Sequence, residues 1–211
     1  MFATLRLMVE YAELHCRSNF SFLYGASHPE QLVESAVHNQ LSALALTDRN
    51  GLYGVVKFAQ ASRTFGLPTL FGAELSCSNK NSSNSETDAH IVLIADGPSG
   101  YSRLSHAITL GQFAGSKSAP VFSTTKIAES LNDTCWVLTG ANGGIINQAL
   151  EQHGPEVASR RLQKLVSEFG RHRVLVELCD HGDPLDSTRN DALVQIAMRN
   201  NVQCIATNDV S

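Results

Sequence analysis

Short apolar runs that end in polar residues recur along the chain: YAELHC (11–16), ALALTD (43–48), LPTLFGAEL (67–75), HIVLIAD (90–96), WVLTG (136–140), RVLVELC (173–179) and QCIATND (203–209). Their length and spacing predict seven strands. Between them, apolar residues return at helical spacing. In HPEQLVESAVHNQ (28–40), Leu32, Val33, Ala36 and Val37 share one helical face, and Ser27 with Glu30 makes a Ser-x-x-Glu capping pattern. Similar patterns predict helices over 51–65, 99–112, 155–169 and 187–200, with shorter ones near 124–131 and 144–152. Strand and helix in alternation predict a parallel sheet covered by helices, and a continuous run such as ALALTD fits a strand buried on both faces. SCSNKNSSNSETDA (76–89) is low in complexity and reads as a flexible surface loop. No linker or internal repeat interrupts this rhythm.

Seven such units describe either an open doubly wound sheet or a barrel close to the eight-unit type. Both place chemistry at the carboxyl ends of the strands. Those ends hold His15, Asp48, Glu74, Asp96, Cys179, Asp180, His181 and Asp209, a set rich in metal-ligand types. A single Asp at a strand end is more commonly a cap or turn residue, and Asp48 and Asp209 both allow that reading. Cys16 and Cys204 read as small buried strand residues. The coincidence of His, Glu and Asp at several ends is what points to a site.

Composition narrows the function classes. The 211 residues, 43% hydrophobic and 17% charged, suffice for one well-cored domain and are short for two. A net charge of −4 offers no broad footprint for duplex nucleic acid. The five cysteines are scattered, with no Cys-x-x-Cys pair, which points to a reducing, cytoplasmic setting. MFATLRLMVEYAEL lacks the pattern of a signal peptide, and no later segment approaches a membrane span. GANGG (140–144) lacks the lysine and spacing of a phosphate loop and reads as a strand-to-helix turn. Arg160, Arg161, Lys164, Arg171 and Arg173 form a local basic cluster that reads as a solvated helix face.

YAELHCRSNFSFLYGASHPEQLVESA, ALALTDRNGLYGVVKFAQAS, GLPTLFGAEL and CIATNDV together resemble the N-terminal PHP (polymerase and histidinol phosphatase) domain of bacterial C-family DNA polymerases. The nearest likeness is to the error-prone, DNA polymerase III alpha-like branch. The resemblance runs from about Tyr11 to Asp209 and implies a distorted barrel of seven β/α units, with its C-terminal end expected to be incomplete. It also implies an N-terminal extension over 1–10, with Met8 as an alternative beginning, and a PHP domain over 11–211 without the polymerase palm, fingers and thumb.

Active PHP domains are similar in holding divalent metals with histidines, carboxylates and a cysteine, a cluster that can hydrolyse phosphoesters. By that resemblance the ligand positions here are His15, Arg17, Tyr24, Arg49, Glu74, His90, Ala141, Asp209 and Ser211. His15, Glu74, His90 and Asp209 keep a ligand type; the other five do not. The strand reading places His90 at the start of its strand, whereas its companions lie at strand ends.

Tyr, Ala and Ser are poor replacements for imidazole or carboxylate, and a guanidinium stays protonated in a protein. Arg17 and Arg49 therefore put fixed positive charge where metal ions would sit, and the expectation is that they pair with Glu74 and Asp209. The resemblance implies a non-catalytic PHP module of an error-prone polymerase active in translesion synthesis and DNA repair, with the remaining polymerase and its accessory proteins as partners. DNA is reached only through that polymerase, and no membrane is involved. No cofactor is expected in this chain; Mg²⁺ belongs to the polymerase site. The alternatives are a Zn²⁺- or Mn²⁺-dependent phosphoesterase or 3′–5′ exonuclease using His15, Glu74, His90 and Asp209, with Asp48, Asp180 or His181 as substitute ligands, and a truncated remnant without function.

Overall fold

A computed structural model describes residues 10–77 and 89–211. Residues 1–9 and most of the low-complexity run lie outside the described residues, and with them the expectations of an N-terminal extension and a flexible loop. The element order is β1 (Ala12–Glu13), α1 (Pro29–His38), β2 (Ala43–Leu46), α2 (Val55–Phe65), β3 (Thr69–Ser76), β4 (His90–Ala95), α3 (Gly97–Ala114), α4 (Thr124–Leu131), β5 (Cys135–Leu138), α5 (Ile145–His153), α6 (Pro155–Phe169), β6 (Val174–Cys179), α7 (Asp186–Arg199) and β7 (Gln203–Thr207).

Each predicted helix is present, but the cap of α1 differs. Pro29 occupies the first turn, where its fixed φ and missing N–H suit it, so the cap falls on His28 rather than Ser27. The His28 N–H donates to Gln31 Oε1 at 2.9 Å, the role expected of Glu30. The Ser27 carbonyl instead accepts from the Asn19 N–H at 2.8 Å. β1 is also much shorter than predicted. Beyond Glu13 the chain leaves the regular ladder because the Glu13 carboxylate accepts from the His15 N–H at 2.8 Å.

The seven strands pair in chain order, β1 to β7. β1, β2 and β3 are parallel, as are β5, β6 and β7; β4 runs antiparallel to both its neighbours. The wholly parallel sheet expected from alternation is therefore corrected at one strand. Ser76, the last residue of β3, pairs with His90, the first of β4, so the chain turns back beside itself as in a hairpin. Past β7, the Val210 N–H donates to the His15 carbonyl at 2.9 Å and the Arg17 N–H to the Val210 carbonyl at 2.8 Å. These bonds bring the last strand's extension to β1 and nearly close a distorted barrel.

Alternation along the strands divides the core. Ala73, Leu75, Ile91, Leu93, Val174 and Val176 pack outward against the helices from α3 to α7. Leu32, Val33, Leu46 and Phe58 form a second outer core under α1 and α2. Ala45, Val92, Ile94 and Leu138 cluster separately, joined by the partly buried Leu175 and Ile205. Burying each of these large side chains contributes about 1.5–3 kcal/mol. Cys16 is buried, as expected, whereas Cys204 is exposed: β7 is the last strand in the order, and Cys204 and Ala206 alternate onto a face left open to solvent. No described helix is long and apolar enough to cross a membrane.

Candidate metal centre

The direction of β4 decides what meets at the barrel mouth. Because β4 is antiparallel, its first residue, His90, lies beside the end of β3, at the end where the parallel strands finish. Its far end carries Asp96 away from the site, where it pairs with Arg173 at 2.8 Å. Cys16 turns outward to pack with Leu32 and Val33, which leaves His15 and Arg17, one on either side of it, for the mouth. Past β2, the Asn50 N–H donates to the Glu74 carbonyl at 2.7 Å, which sets Arg49 beside Glu74.

Glu74 is the hub of the cluster and is fully buried. Arg17 Nη1 donates to its Oε2 at 2.6 Å, and Arg49 Nη1 lies 3.5 Å from its Oε1. The other arm of the Arg17 fork, Nη2, is 2.6 Å from Asp209 Oδ1, an ionic contact lying off the hydrogen-bond direction. One guanidinium thus bridges the end of β3 to the segment after β7. His15 lies beneath it, with Nε2 3.3 Å from Glu74 Oε2, 3.5 Å from Asp209 Oδ1 and 3.5 Å from Arg17 Nη1. Arg49 is covered on its other side by Tyr24, whose ring centroid is 4.1 Å from the guanidinium carbon.

His15 Nδ1 meets Glu177 Oε1 at 2.8 Å, and the Thr207 hydroxyl donates to the same oxygen at 2.5 Å. Burial opposes charge on His15, but Glu177, Glu74 and Asp209 outweigh it and push its pKa up to about 10. Both ring nitrogens then donate. Burial works against ionisation of Glu74 too, yet the hydrogen bond from His15 and the nearby positive groups hold it well below the usual carboxylate range. Glu177 is likewise lowered, against burial, by His15. His90 differs: burial dominates and pushes its pKa down, favouring the neutral ring.

His90 is buried with Nε2 unpartnered, 3.9 Å from Glu74 Oε2. The GANGG turn encloses it. Gly140 has φ +80°, and a Cβ there would lie 2.8 Å from His90 Cδ2, so the turn follows the imidazole in a way only glycine allows. The donor atoms of His15, Glu74 and His90 all lie within 4.8 Å of one another.

The PHP domain family model matches residues 13–181. The chain belongs to the PHP family. It is 44% identical over 205 residues to an error-prone DNA polymerase of Mycolicibacterium paratuberculosis, covering 96% of this chain and 19% of that protein. It is also 44% identical over 205 residues to one of Cutibacterium acnes, covering 95% and 18%. The chain thus spans about a fifth of the length of these curated relatives. In fold it is similar to a candidate metal-dependent phosphoesterase from Bifidobacterium adolescentis (TM-score 0.67, 16% identity, 96% of this chain and 88% of that one). It is also similar to an amidohydrolase from Chromobacterium violaceum with bound sulfate and no metal (TM-score 0.68, 15% identity, 94% and 87%).

Of the other positions expected from the resemblance, Ala141 is buried in the turn after β5, Tyr24 is half exposed over Arg49, and Ser211 is exposed. Asp48 is buried beside the mouth but committed elsewhere. It accepts from the Ser18 N–H and hydroxyl, the Ser21 hydroxyl and the Gly54 N–H. Asp180 accepts from the Gly182 N–H, and His181 contacts the Asn208 carbonyl and Cys179 Sγ. The basic cluster is dispersed: Arg173 pairs with Asp96 and Asp133, Lys164 with Glu168, and Arg171 bonds the Asn200 carbonyl. The residue missed by reading strand ends is Glu177, which lies inside β6. Its signal is a lone carboxylate in the apolar run VLVELC.

Proposed function

We propose that this chain is a non-catalytic PHP module of an error-prone DNA polymerase, with arginine in place of the metals. The observation that carries this reading is Arg17, whose fork lies 2.6 Å from Glu74 and 2.6 Å from Asp209. A metal ion needs open lone pairs converging at about 2.0–2.3 Å. Arg17 already holds Glu74 Oε2 and stands 3.5 Å from His15 Nε2, and a metal would have to displace a proton from His15, whose charged form the surrounding carboxylates favour. The residues present do not fit a catalytic cluster in this arrangement.

In this role the module binds and orients no substrate of its own. Its buried ion cluster ties β1, β3 and the segment after β7 together, while polymerisation and its Mg²⁺ ions belong to the remainder of the polymerase. That remainder and its accessory proteins are the proposed partners, DNA is reached through them, and the setting is cytoplasmic DNA repair and damage tolerance. The names of the relatives support this placement.

A second reading, a phosphoesterase with a reduced metal site, is favoured by the 4.8 Å span of the His15, Glu74 and His90 donors. Hydrolysis of bis(p-nitrophenyl) phosphate with Mn²⁺ or Zn²⁺ added separates the two. The non-catalytic reading expects no turnover above that of the free metal. Turnover that disappears in His15→Ala would overturn it in favour of the enzyme.

A further inference from the structure

We infer that the chain carries a ligand site away from the barrel mouth, a pocket for a small planar aromatic anion, between α2 and the start of α3. The inference stands apart from the proposed function and does not depend on it. A cavity of about 750 Å³ opens there, reaching Asp96 at the far end of β4 from His90. That volume suits a small organic ligand.

Its walls are apolar and aromatic: Val56, Ala59, Leu70, Phe71, Tyr101 and Trp136. The aromatic surface is preformed. Phe71 stands edge-on to Phe58 at 6.1 Å and to Tyr101 at 6.0 Å between ring centroids. The Arg173 guanidinium carbon lies 5.0 Å from the Trp136 ring centroid, and Arg173 is itself pinned by Asp96 at 2.8 Å and Asp133 at 2.9 Å. A ring entering this pocket meets rigid partners, so little ordering entropy opposes stacking.

Charge selects the ligand's polar end. Two charged residues line the cavity, Arg63 and Asp96. Asp96 is committed to Arg173. Arg63 is exposed on α2 and, among the described residues, has no carboxylate within ion-pair distance. Arg63 is therefore the lining charge without an ion-pair partner among the described residues, whereas Asp96 shares Arg173 with Asp133. A guanidinium fork matches an oxyanion such as a carboxylate, sulfonate or phosphate. The geometry thus suits a flat apolar body against Trp136 and Tyr101 with its anionic group at Arg63.

The test titrates 1-anilinonaphthalene-8-sulfonate into the purified chain while following the emission of Trp136, the chain's single tryptophan. The expected result is saturable binding at one site per chain that quenches Trp136. Arg63→Gln, an exposed substitution, should weaken the sulfonate by about tenfold, and Arg63→Lys should restore most of that loss. The uncharged N-phenyl-1-naphthylamine should bind parent and Arg63→Gln alike. Sulfonate affinity unchanged by Arg63→Gln, or binding that leaves Trp136 emission unaltered, would overturn the inference.

Discussion

Arg17 Nη1 and Glu74 Oε2 are 2.6 Å apart at the mouth of the barrel, both buried, and the same guanidinium reaches Asp209. A cation fixed by covalent attachment thus stands between a carboxylate of β3 and one from the segment after β7. Removing it leaves two buried carboxylates beside His15, and breaking such a pair costs about 3–5 kcal/mol. Arg17→Ala should lose that much stability in urea unfolding, while Arg17→Lys should recover only part, because an ammonium lacks the fork that spans both partners. A loss below about 1 kcal/mol for Arg17→Ala would show that the bridge does not hold the barrel.

The pH dependence follows from the same cluster. The pKa of His15 rises from 6.5 in the open chain to about 10 in the fold, so its contribution is complete below about 6.5 and is lost as pH rises toward 10. Glu74 and Glu177 are lowered from 4.5, so theirs is present above about 4.5 and is lost as pH falls through their folded values. This cluster's contribution should therefore be greatest between about pH 4.5 and 6.5. Denaturant midpoints measured from pH 4 to 10 check this, and Glu177→Gln should flatten the alkaline limb.

Gly140 shapes the turn around His90. Gly140→Ala would place a methyl at φ +80°, 2.7 Å from Gly144 Cα and 2.8 Å from His90 Cδ2. Strain of this kind costs about 1–3 kcal/mol. The variant should melt at lower temperature and shift the His90 ring resonances, whereas Gly154→Ala, also at positive φ but with no atom within 4 Å, should leave those resonances in place.

Asp48 holds the loop from Ser18 to Tyr24, at whose tip Phe22 and Leu23 are 81% and 86% exposed. Asp48→Ala removes its bonds to Ser18, Ser21 and Gly54, each worth about 1.5–3 kcal/mol when the acceptor is charged. Chymotrypsin should then cut near Phe22 well before it cuts the parent chain; equal rates would mean that the loop is held by other contacts.

Much of this molecule was legible in the apolar pattern, and what escaped has a physical reason. Hydrophobic periodicity locates β4 but says nothing of its direction, since a strand reads alike both ways. The low-complexity run before it, with no helical pattern to carry a crossover, was the available hint. That one direction moved His90 to the mouth and Asp96 away from it. Arg17, Arg49, Glu74 and Asp209 could be singled out by resemblance, but the sharing of one guanidinium between two carboxylates depends on how β1 meets the end of the chain. Glu177 escapes a reading of strand ends because it lies inside β6, in an otherwise apolar run.

If Arg17 takes the place of the metals, the chain should release metal ions on dialysis. The purified chain is dialysed against Zn²⁺ and Mn²⁺, then against metal-free buffer, and its metal content measured by elemental analysis. Fewer than about one equivalent should be retained, because Arg17 already engages Glu74 and Asp209 and a metal must also displace a proton from His15. Retention of about two or more equivalents would contradict it and restore the hydrolytic reading.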